Sequence, residues 1–236
     1  MKKPVKYISL LPAYLVIIAI FLGLAVGGSK AVTVLSENAP VLNRKTVIID
    51  AGHGGPDGGA TSCTGILESQ FNLEIALRLR DLMEILGVQT TMVRETDCSV
   101  YTQGTTIAQK KVSDLKERVR IVNSTENATL VSIHQNLFSD AKYSGAQVFY
   151  AKTDGSQELA KKMQNKFIQS INPDSHRQAK KADGIYLMQN INCTGILIEC
   201  GFLSNPKEEY LLRSESYQKK LCSVIATTLS NYLFAT

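Results

Sequence analysis

The chain has 236 residues, of which 44% are hydrophobic and 20% are charged. This length and composition exclude a disordered or collagen-like chain and fit one large α/β domain or two small ones. Four of its 26 basic residues lie in the first thirty residues, so 22 basic and 21 acidic residues remain for the rest of the chain. The net charge of that part is nearly neutral, and nucleic acid is therefore not the expected partner.

The first thirty residues are predicted to carry a membrane or export signal. Three lysines precede an uncharged stretch, Tyr7 to Ser29, which at about 1.5 Å of helical rise per residue is long enough to cross a bilayer. The length of this stretch favours an uncleaved anchor, although small residues from Ala25 to Ala31 keep a cleaved signal peptide open. We therefore predict an anchor or signal peptide over residues 1–30, a linker over 31–44 and an exported domain over 45–236.

The domain is predicted to begin with a buried strand and a helix. Residues 46–50 are mostly β-branched, as is typical of a strand buried on both faces. A loop with five glycines, residues 52–59, follows this strand. Beyond it, apolar residues recur every three or four positions from Phe71 to Leu86, which predicts a helix that Gly87 ends.

Strands and helices alternate along the rest of the chain. The predicted strands cover residues 88–94, 129–133, 146–150 and 195–198. Residues 95–112 are predicted to be a polar loop. Helices are predicted to start at Ser113 and to cover 156–171 and 206–233. This alternation predicts a single α/β domain with a central, twisted, mostly parallel sheet of about six strands, flanked by helices on both faces.

Three polar residues are predicted to lie at the carboxyl ends of strands. His53 follows the first strand, His134 follows the strand 129–133, and Glu199 follows the strand 195–198. Ligands of open parallel sheets bind at this rim. The three side chains are therefore expected to lie close together, at the place where a binding site is most commonly found.

Glu68 adds a fourth polar side chain to this rim. It lies three residues before Phe71 and extends the apolar face of the predicted helix, so its carboxylate points inward and needs a partner. Two histidines and one glutamate, with a fourth position left for water, are typical of a catalytic zinc site. We therefore predict one Zn²⁺ per chain, held by His53, Glu68 and His134, with Glu199 as the carboxylate that relays the proton.

Each of these residues alone is more often structural or solvated than functional. Their convergence on one rim, beside a glycine loop that lets the backbone approach a ligand, favours the metal site. His176 is interpreted instead as a solvated loop residue. The basic residues beside it, Arg177, Lys180 and Lys181, have the charge to contact an anionic substrate, but a solvated loop is the commoner arrangement.

Four sequence blocks resemble one family of bacterial enzymes. They are residues 47–60 with their Asp-Ala-Gly-His-Gly-Gly core, Glu68 with its helix and residues 91–94, Ser132-Ile133-His134-Gln135-Asn136, and residues 198–205 beginning Ile-Glu-Cys-Gly-Phe. In this order and spacing they are similar to the zinc-dependent N-acetylmuramoyl-L-alanine amidases of bacterial cell walls.

The resemblance implies that His53, Glu68 and His134 hold zinc and that Glu199 is the catalytic acid and base. The implied substrate is peptidoglycan, in which the amide between the lactyl group of N-acetylmuramic acid and L-alanine is hydrolysed. Arg94 and Asn136, at strand ends, are candidate substrate contacts.

The chain most resembles the sporulation amidases, which remove stem peptides from cortex muramic acid before muramic lactam forms. The region between His134 and Gly145 is too short for the plug helix of some relatives. Control is therefore expected from compartment, timing or an accessory protein. The expected location is extracytoplasmic, between the two spore membranes in a sporulating cell.

Three alternatives stay open on the sequence alone. A vegetative autolysin would use the same chemistry. A cysteine hydrolase would use Cys200 and His134, and would lose activity with Cys200→Ser but not with a chelator. A non-catalytic wall-binding protein would tolerate Glu199→Gln.

Overall fold

The computed structural model describes residues 45–234 of the chain, in which six strands form one sheet. The strands are β1 (Thr46–Ala51), β2 (Gln89–Met92), β3 (Ala128–Asn136), β4 (Gln147–Tyr150), β5 (Lys180–Lys181) and β6 (Thr194–Phe202). Their order across the sheet is β2-β1-β3-β6-β4-β5. Neighbouring strands β2, β1, β3 and β6 are parallel, β4 runs antiparallel to β6, and β5 is parallel to β4. The predicted mostly parallel, six-stranded sheet is confirmed.

Six helices cover the two faces of the sheet. They are α1 (Glu68–Ile85), α2 (Ile107–Asn123), α3 (Ser156–Ser170), α4 (Tyr186–Asn190), α5 (Pro206–Arg213) and α6 (Glu215–Phe234). The larger apolar cluster joins the sheet to α1, α3 and α6, and the smaller one joins it to α2 and α4. Both faces are therefore buried, as the alternation of strands and helices predicts.

Strand β1 lies in the middle of this arrangement. Val47 and Ile49 belong to the larger cluster and Ile48 to the smaller one, and all three are fully buried. Burial of each such side chain stabilises the fold by roughly 1.5–3 kcal/mol. The β-branched run is thus buried on both faces, and it holds the loop that follows Ala51 in a fixed place.

Helix α2 begins six residues before the predicted start at Ser113. Thr106 forms the N-cap: its side chain accepts from the amide of Gln109, and the Gln109 side chain accepts from the amide of Thr106. This reciprocal capping box satisfies two amides that the helix leaves unpaired. Ser113 instead lies inside the helix, where its hydroxyl accepts from the amides of Thr102 and Gln103.

Three further predicted elements differ from the structure, and one short helix was not predicted. Strands β3 and β6 run on to Asn136 and Phe202, so His134 and Glu199 lie within their last residues, not after them. The predicted C-terminal helix is two helices separated at Ser214. A short helix, α4, occupies residues 186–190.

The predicted anchor or signal peptide over residues 1–30 and the linker over 31–44 lie outside the described residues. Among residues 45–234, no helix combines the length and the apolar character that a membrane crossing requires.

Candidate metal centre

The glycine loop after β1 passes against two of the predicted ligands. A Cβ atom at Gly52 would overlap the imidazole of His134. A Cβ atom at Gly59 would lie 2.6 Å from Oε2 of Glu68, and Gly59 also has a φ of +70°, which favours glycine. The absence of a side chain at these two positions therefore lets the loop close around the carboxylate and the ring.

The side chains of His53, Glu68 and His134 meet at the rim of the sheet. Oε2 of Glu68 lies 3.3 Å from Nε2 of His53, and Oε1 lies 3.0 Å from Nδ1 of His134. One donor atom from each residue lies within 4.8 Å of the others. Ligands bound tetrahedrally at 2.0–2.2 Å from a zinc ion are about 3.4 Å apart. The chemistry and the spacing of this donor set fit one metal ion.

Glu68 is held in place by groups behind it. The amides of Ala60 and Gln135 donate to its two oxygens at 3.0 and 3.1 Å, and Nδ2 of Asn72 donates to Oε1 at 3.2 Å. Burial by itself raises the pKa of this carboxyl, but hydrogen bonds and charges of His134 and His53 bring the pKa far below its usual value. The carboxylate is therefore ionised and rigidly placed, as a metal ligand must be.

The ring of His53 is oriented by a second carboxylate. Nδ1 lies 2.9 Å from Oδ2 of Asp57, which leaves Nε2 facing Glu68. Burial lowers the pKa of His53, but Glu68 and Asp57 outweigh it and raise the pKa above the ordinary value. The backbone of His53 has a φ of +61°, and its carbonyl accepts from Nη2 of Arg118 at 2.7 Å. Arg118 thereby supports a conformation that a histidine rarely adopts.

Arg118 belongs to a buried ion network beneath the loop. It is 2% exposed and pairs with Asp50 at the end of β1 and with Asp114 on its own helix. Ser132 donates to Asp50 at 2.6 Å. Burial raises the pKa of Asp50, but Arg118 and Ser132 lower it below its usual value. Removing one partner of such a buried pair costs about 3–5 kcal/mol. Because Arg118 belongs to α2 and Asp50 lies at the end of β1, the network fixes α2 against the loop.

Glu199 lies beside this donor set and has an unpaired oxygen. It is the register neighbour of His134 between β6 and β3. Its Oε2 atom is buried and accepts no hydrogen bond from the described residues. Burial, together with the charge of Glu68, raises the pKa of Glu199 to about 7, against the lowering effect of the two histidines. A carboxyl group with a pKa near neutrality suits proton transfer in both directions.

The two candidate substrate contacts are placed differently. Arg94 is 3% exposed, and its guanidinium donates to the carbonyls of Ala51, Gly52, Ser69 and Thr96. The burial and the four backbone acceptors indicate that Arg94 supports the loop, and its substrate contact stays a prediction. Asn136 is half-buried at the last position of β3, beyond His134, and its substrate contact stays a prediction.

Cys200 does not have the surroundings of a nucleophile. The side chain is fully buried in the larger apolar cluster, and its sulfur lies 3.8 Å from the carbonyl of Ile198. Burial raises the pKa of the Cys200 thiol well above its usual value. A thiol of this kind is inert because the thiolate is the reactive form. The geometry speaks against the cysteine hydrolase.

Sequence reasoning missed the supporting residues Asn72, Asp57 and Arg118. Asn72 had a detectable signal, because it lies four residues after Glu68 on the same helix face. Asp57 lies in the glycine loop, where its spacing from His53 was visible but its contact was not. Arg118 had no local signal, since it reaches the loop only through the packing of α2 on the sheet.

Comparisons with known proteins find amidases of similar sequence and fold. The chain is 40% identical over 193 residues to the germination-specific N-acetylmuramoyl-L-alanine amidase of Bacillus subtilis strain 168, which is 81% of each chain. It is similar to the structure of the CwlD amidase from Clostridioides difficile in complex with the GerS lipoprotein, with 42% identity, a TM-score of 0.77, and coverage of 82% of this chain and 100% of that one.

A second solved structure extends the likeness. The crystal structure of an N-acetylmuramoyl-L-alanine amidase from Clostridium difficile 630 is similar at 31% identity and a TM-score of 0.70, over 81% of this chain and 97% of that one. Residues 47–231 match the N-acetylmuramoyl-L-alanine amidase family, and this range includes the three candidate ligands and Glu199. The chain belongs to the N-acetylmuramoyl-L-alanine amidase family and is a peptidoglycan-hydrolysing enzyme of that class.

Proposed function

We propose that His53, Glu68 and His134 hold one zinc ion and that Glu199 is the catalytic acid and base. The reaction is hydrolysis of the amide between the lactyl group of N-acetylmuramic acid and L-alanine. One observation carries the assignment: donor atoms of the three ligands lie within 4.8 Å of one another, beside a buried carboxylate oxygen for which the described residues offer no partner.

The residues of the chain divide the chemistry between them. Zinc, when bound at the three ligands, polarises the amide carbonyl and makes water more acidic. Glu199 takes a proton from the attacking water on Oε2 and delivers it to the departing nitrogen of L-alanine. Asp57 keeps the ring of His53 in position through its contact with Nδ1. No protein nucleophile is needed, which agrees with the inert environment of Cys200.

Mass spectrometry of digested peptidoglycan tests the reaction. The full-length chain with zinc is expected to release intact stem peptides with a free L-alanine amino group. Glu199→Gln is expected to lower the rate by roughly 10²–10⁴-fold while zinc stays bound. Cys200→Ser is expected to stay active. Activity that survives chelation and is lost in Cys200→Ser would restore the cysteine hydrolase, and an undiminished Glu199→Gln variant would favour the wall-binding protein.

We further propose that the substrate is spore-cortex peptidoglycan, where peptide removal precedes muramic lactam formation. The 40% identity to the germination-specific amidase of Bacillus subtilis supports this choice over a vegetative autolysin. The test is to express the chain in Bacillus subtilis that lacks its own germination-specific amidase. Muramic lactam should appear in the cortex with the intact chain and not with Glu199→Gln. Lysis of growing cells without cortex lactam would indicate an autolysin.

The domain over residues 45–236 is proposed to act outside the cytoplasm, attached through residues 1–30 or released after their cleavage, with 31–44 as the linker. An accessory protein is proposed as the control element, and the complex of the Clostridioides difficile amidase with a lipoprotein supports this idea. Full activity of the purified chain, with zinc alone, on intact sacculi would rule out the need for such a partner.

A further inference from the structure

A cavity of about 720 Å³ opens next to the start of β4. Its walls are the loop before β4, which includes Tyr143 and Gly145, and the segment before β5, which includes His176 and Arg177. Strand β4 runs antiparallel to β6, and Gln147 at its start is the register neighbour of Glu199. The cavity therefore lies on the same rim as Glu199, and its volume is in the range of ligand-binding pockets.

Arg177 is the unusual residue of this cavity. Its guanidinium lies over the ring of Phe202, with 4.9 Å between the guanidinium carbon and the ring centroid. Nε donates to the carbonyl of Ser144 at 3.0 Å, and Nη1 lies 3.5 Å from Oε1 of Gln147. Within residues 45–234, no carboxylate forms an ion pair with Arg177, and Nη2 has no hydrogen-bond acceptor. The half-buried guanidinium is therefore held against the ring of Phe202, and its Nη2 atom is free to donate a hydrogen bond.

The acidic groups nearby are committed elsewhere or exposed. The carboxylate of Glu208 interacts with the charge of Arg177 but forms no ion pair with it, and accepts from the amides of Gly145 and Phe202 at 2.7 and 2.8 Å. Lys142, the second cation of the cavity wall, pairs with Asp140 at 2.7 Å. Asp174 is the acid that lines the cavity, and it is exposed to solvent. Of the lysine and arginine side chains that line the cavity, Arg177 is the one without an ion-paired carboxylate.

The substrate of the proposed function, peptidoglycan, indicates which anion Arg177 would bind. The inference therefore rests on that proposed function. In peptidoglycan the glycan is neutral, because the lactyl carboxyl group of muramic acid is consumed in the amide that is cleaved. The free carboxylates belong to the stem peptide beyond L-alanine. A planar guanidinium matches a carboxylate through two parallel hydrogen bonds, which an ammonium group cannot form.

We propose that Arg177 binds a free carboxylate of the stem peptide and that the cavity is the peptide side of the active site. The stacking on Phe202 fixes the plane of the guanidinium before substrate arrives, so less side-chain freedom is lost on binding. Arg177 then determines specificity for carboxylate-bearing stem peptides and takes no part in breaking the amide.

A matched pair of synthetic substrates tests this role in the full-length zinc enzyme. Both are muramoyl dipeptides; the residue after L-alanine carries free carboxylates in one and carboxamides in the other. The wild-type enzyme is expected to show a KM about tenfold lower for the carboxylate substrate, the size of one charge-assisted contact at a partly solvated site. Arg177→Gln is expected to abolish this difference by raising the KM for the carboxylate substrate alone, with kcat unchanged. Arg177→Lys should restore only part of it.

The carboxamide substrate also reports whether the variant is folded, since its KM and kcat should not change. Lys180→Gln is the matched control: it removes the same charge from an exposed position in β5, outside the cavity wall, and should leave both substrates unaffected. An equal fall in kcat for both substrates would overturn the proposal and place Arg177 at the scissile group. Equal KM values in the wild-type enzyme would also overturn it. Failure of the wild-type enzyme to cleave either substrate would count against the amidase function itself.

Discussion

The Oε2 atom of Glu199 is a buried oxygen without a partner among the described residues. Burial of a polar group without a hydrogen bond costs roughly 1–3 kcal/mol. Such an atom is therefore expected only where function requires it. It lies opposite His134, at the edge of the donor set, which agrees with the proposed role of Glu199 as acid and base. In the proposed mechanism this unfavourable burial leaves the carboxyl group available to exchange a proton with the substrate.

This cost predicts a pH dependence in the stability of the metal-free protein. Burial raises the pKa of Glu199 from its ordinary value of 4.5 to about 7 in the folded chain. Between these values the folded state binds more protons than the unfolded state, so the free energy of unfolding falls as pH rises from about 4.5 to 7. Metal-free Glu199→Gln should therefore be more stable than metal-free wild type at pH 8, by roughly 3 kcal/mol, and about equally stable at pH 4.

Urea unfolding at the two pH values measures this difference. At each pH the variant is compared with the wild-type protein. All other titrating groups are common to both chains, so the difference reports on Glu199. A stability difference that is the same at pH 4 and pH 8 would show that Glu199 has an ordinary pKa in the folded chain.

Gly52 passes so close to the ring of His134 that there is no room for a side chain at this position. Because a Cβ atom there would overlap the ring of His134, Gly52→Ala should displace the ring and weaken zinc binding at least tenfold, which corresponds to 1.4 kcal/mol. Isothermal titration with zinc measures the affinity. Gly65→Ala is the control: its Cβ meets open space, while its φ of +90° makes the substitution strained. That variant should lose about 1–2 kcal/mol of stability and keep its zinc affinity.

At the scale of elements, the start of α2 is set by a capping box that composition did not indicate. Thr106 and Gln109 satisfy each other's backbone amides, and the helix therefore begins well before Ser113. Thr106→Ala should lower the free energy of unfolding by about 1 kcal/mol, and Thr106→Ser should retain most of the stability. Thermal unfolding of the three chains tests this. Equal losses in both variants would mean that the side-chain oxygen of Thr106 is not the capping group.

The order of elements followed from sequence because each signal was local. The β-branched run of β1 and the apolar stripe of α1 each specify one element, and the parallel arrangement then brings His53 and His134 to one rim. Glu68 was found for the same reason, since its place on the helix face could be counted from Phe71. These inferences needed only the periods of strands and helices.

What sequence did not reveal depends on contacts between distant segments. Arg94 was predicted to touch substrate from its position at a strand end, but it turns inward and donates to four carbonyls. Arg118 lies 65 residues from His53 and reaches its carbonyl only once α2 is packed on the sheet. Strand ends and helix faces place a residue at the rim; the direction of its side chain is decided by the neighbours it meets there.

At the scale of the whole molecule, metal binding is expected to be coupled to folding. The donor set joins the loop after β1, the start of α1 and the end of β3, so a bound ion would link three elements that contribute to one core. Zinc at 1,000 times its dissociation constant would add about 4 kcal/mol to the free energy of unfolding. For a chain of this size that is a rise in Tm of roughly 10 °C.

Differential scanning calorimetry of the full-length chain, with zinc and after chelation, measures this rise. Glu199→Gln should show the same rise, because Glu199 is not one of the three proposed ligands. His134→Ala should show little or none. A chelator effect of the same size in His134→Ala would mean that zinc stabilises the chain at another place.

The zinc content of the purified chain tests the central claim most directly. Equilibrium dialysis followed by elemental analysis should give one zinc per chain for wild type and for Glu199→Gln, and close to none for His53→Ala, Glu68→Gln and His134→Ala. The account is contradicted if active wild-type enzyme contains no metal, or if the three ligand variants retain a full equivalent of zinc.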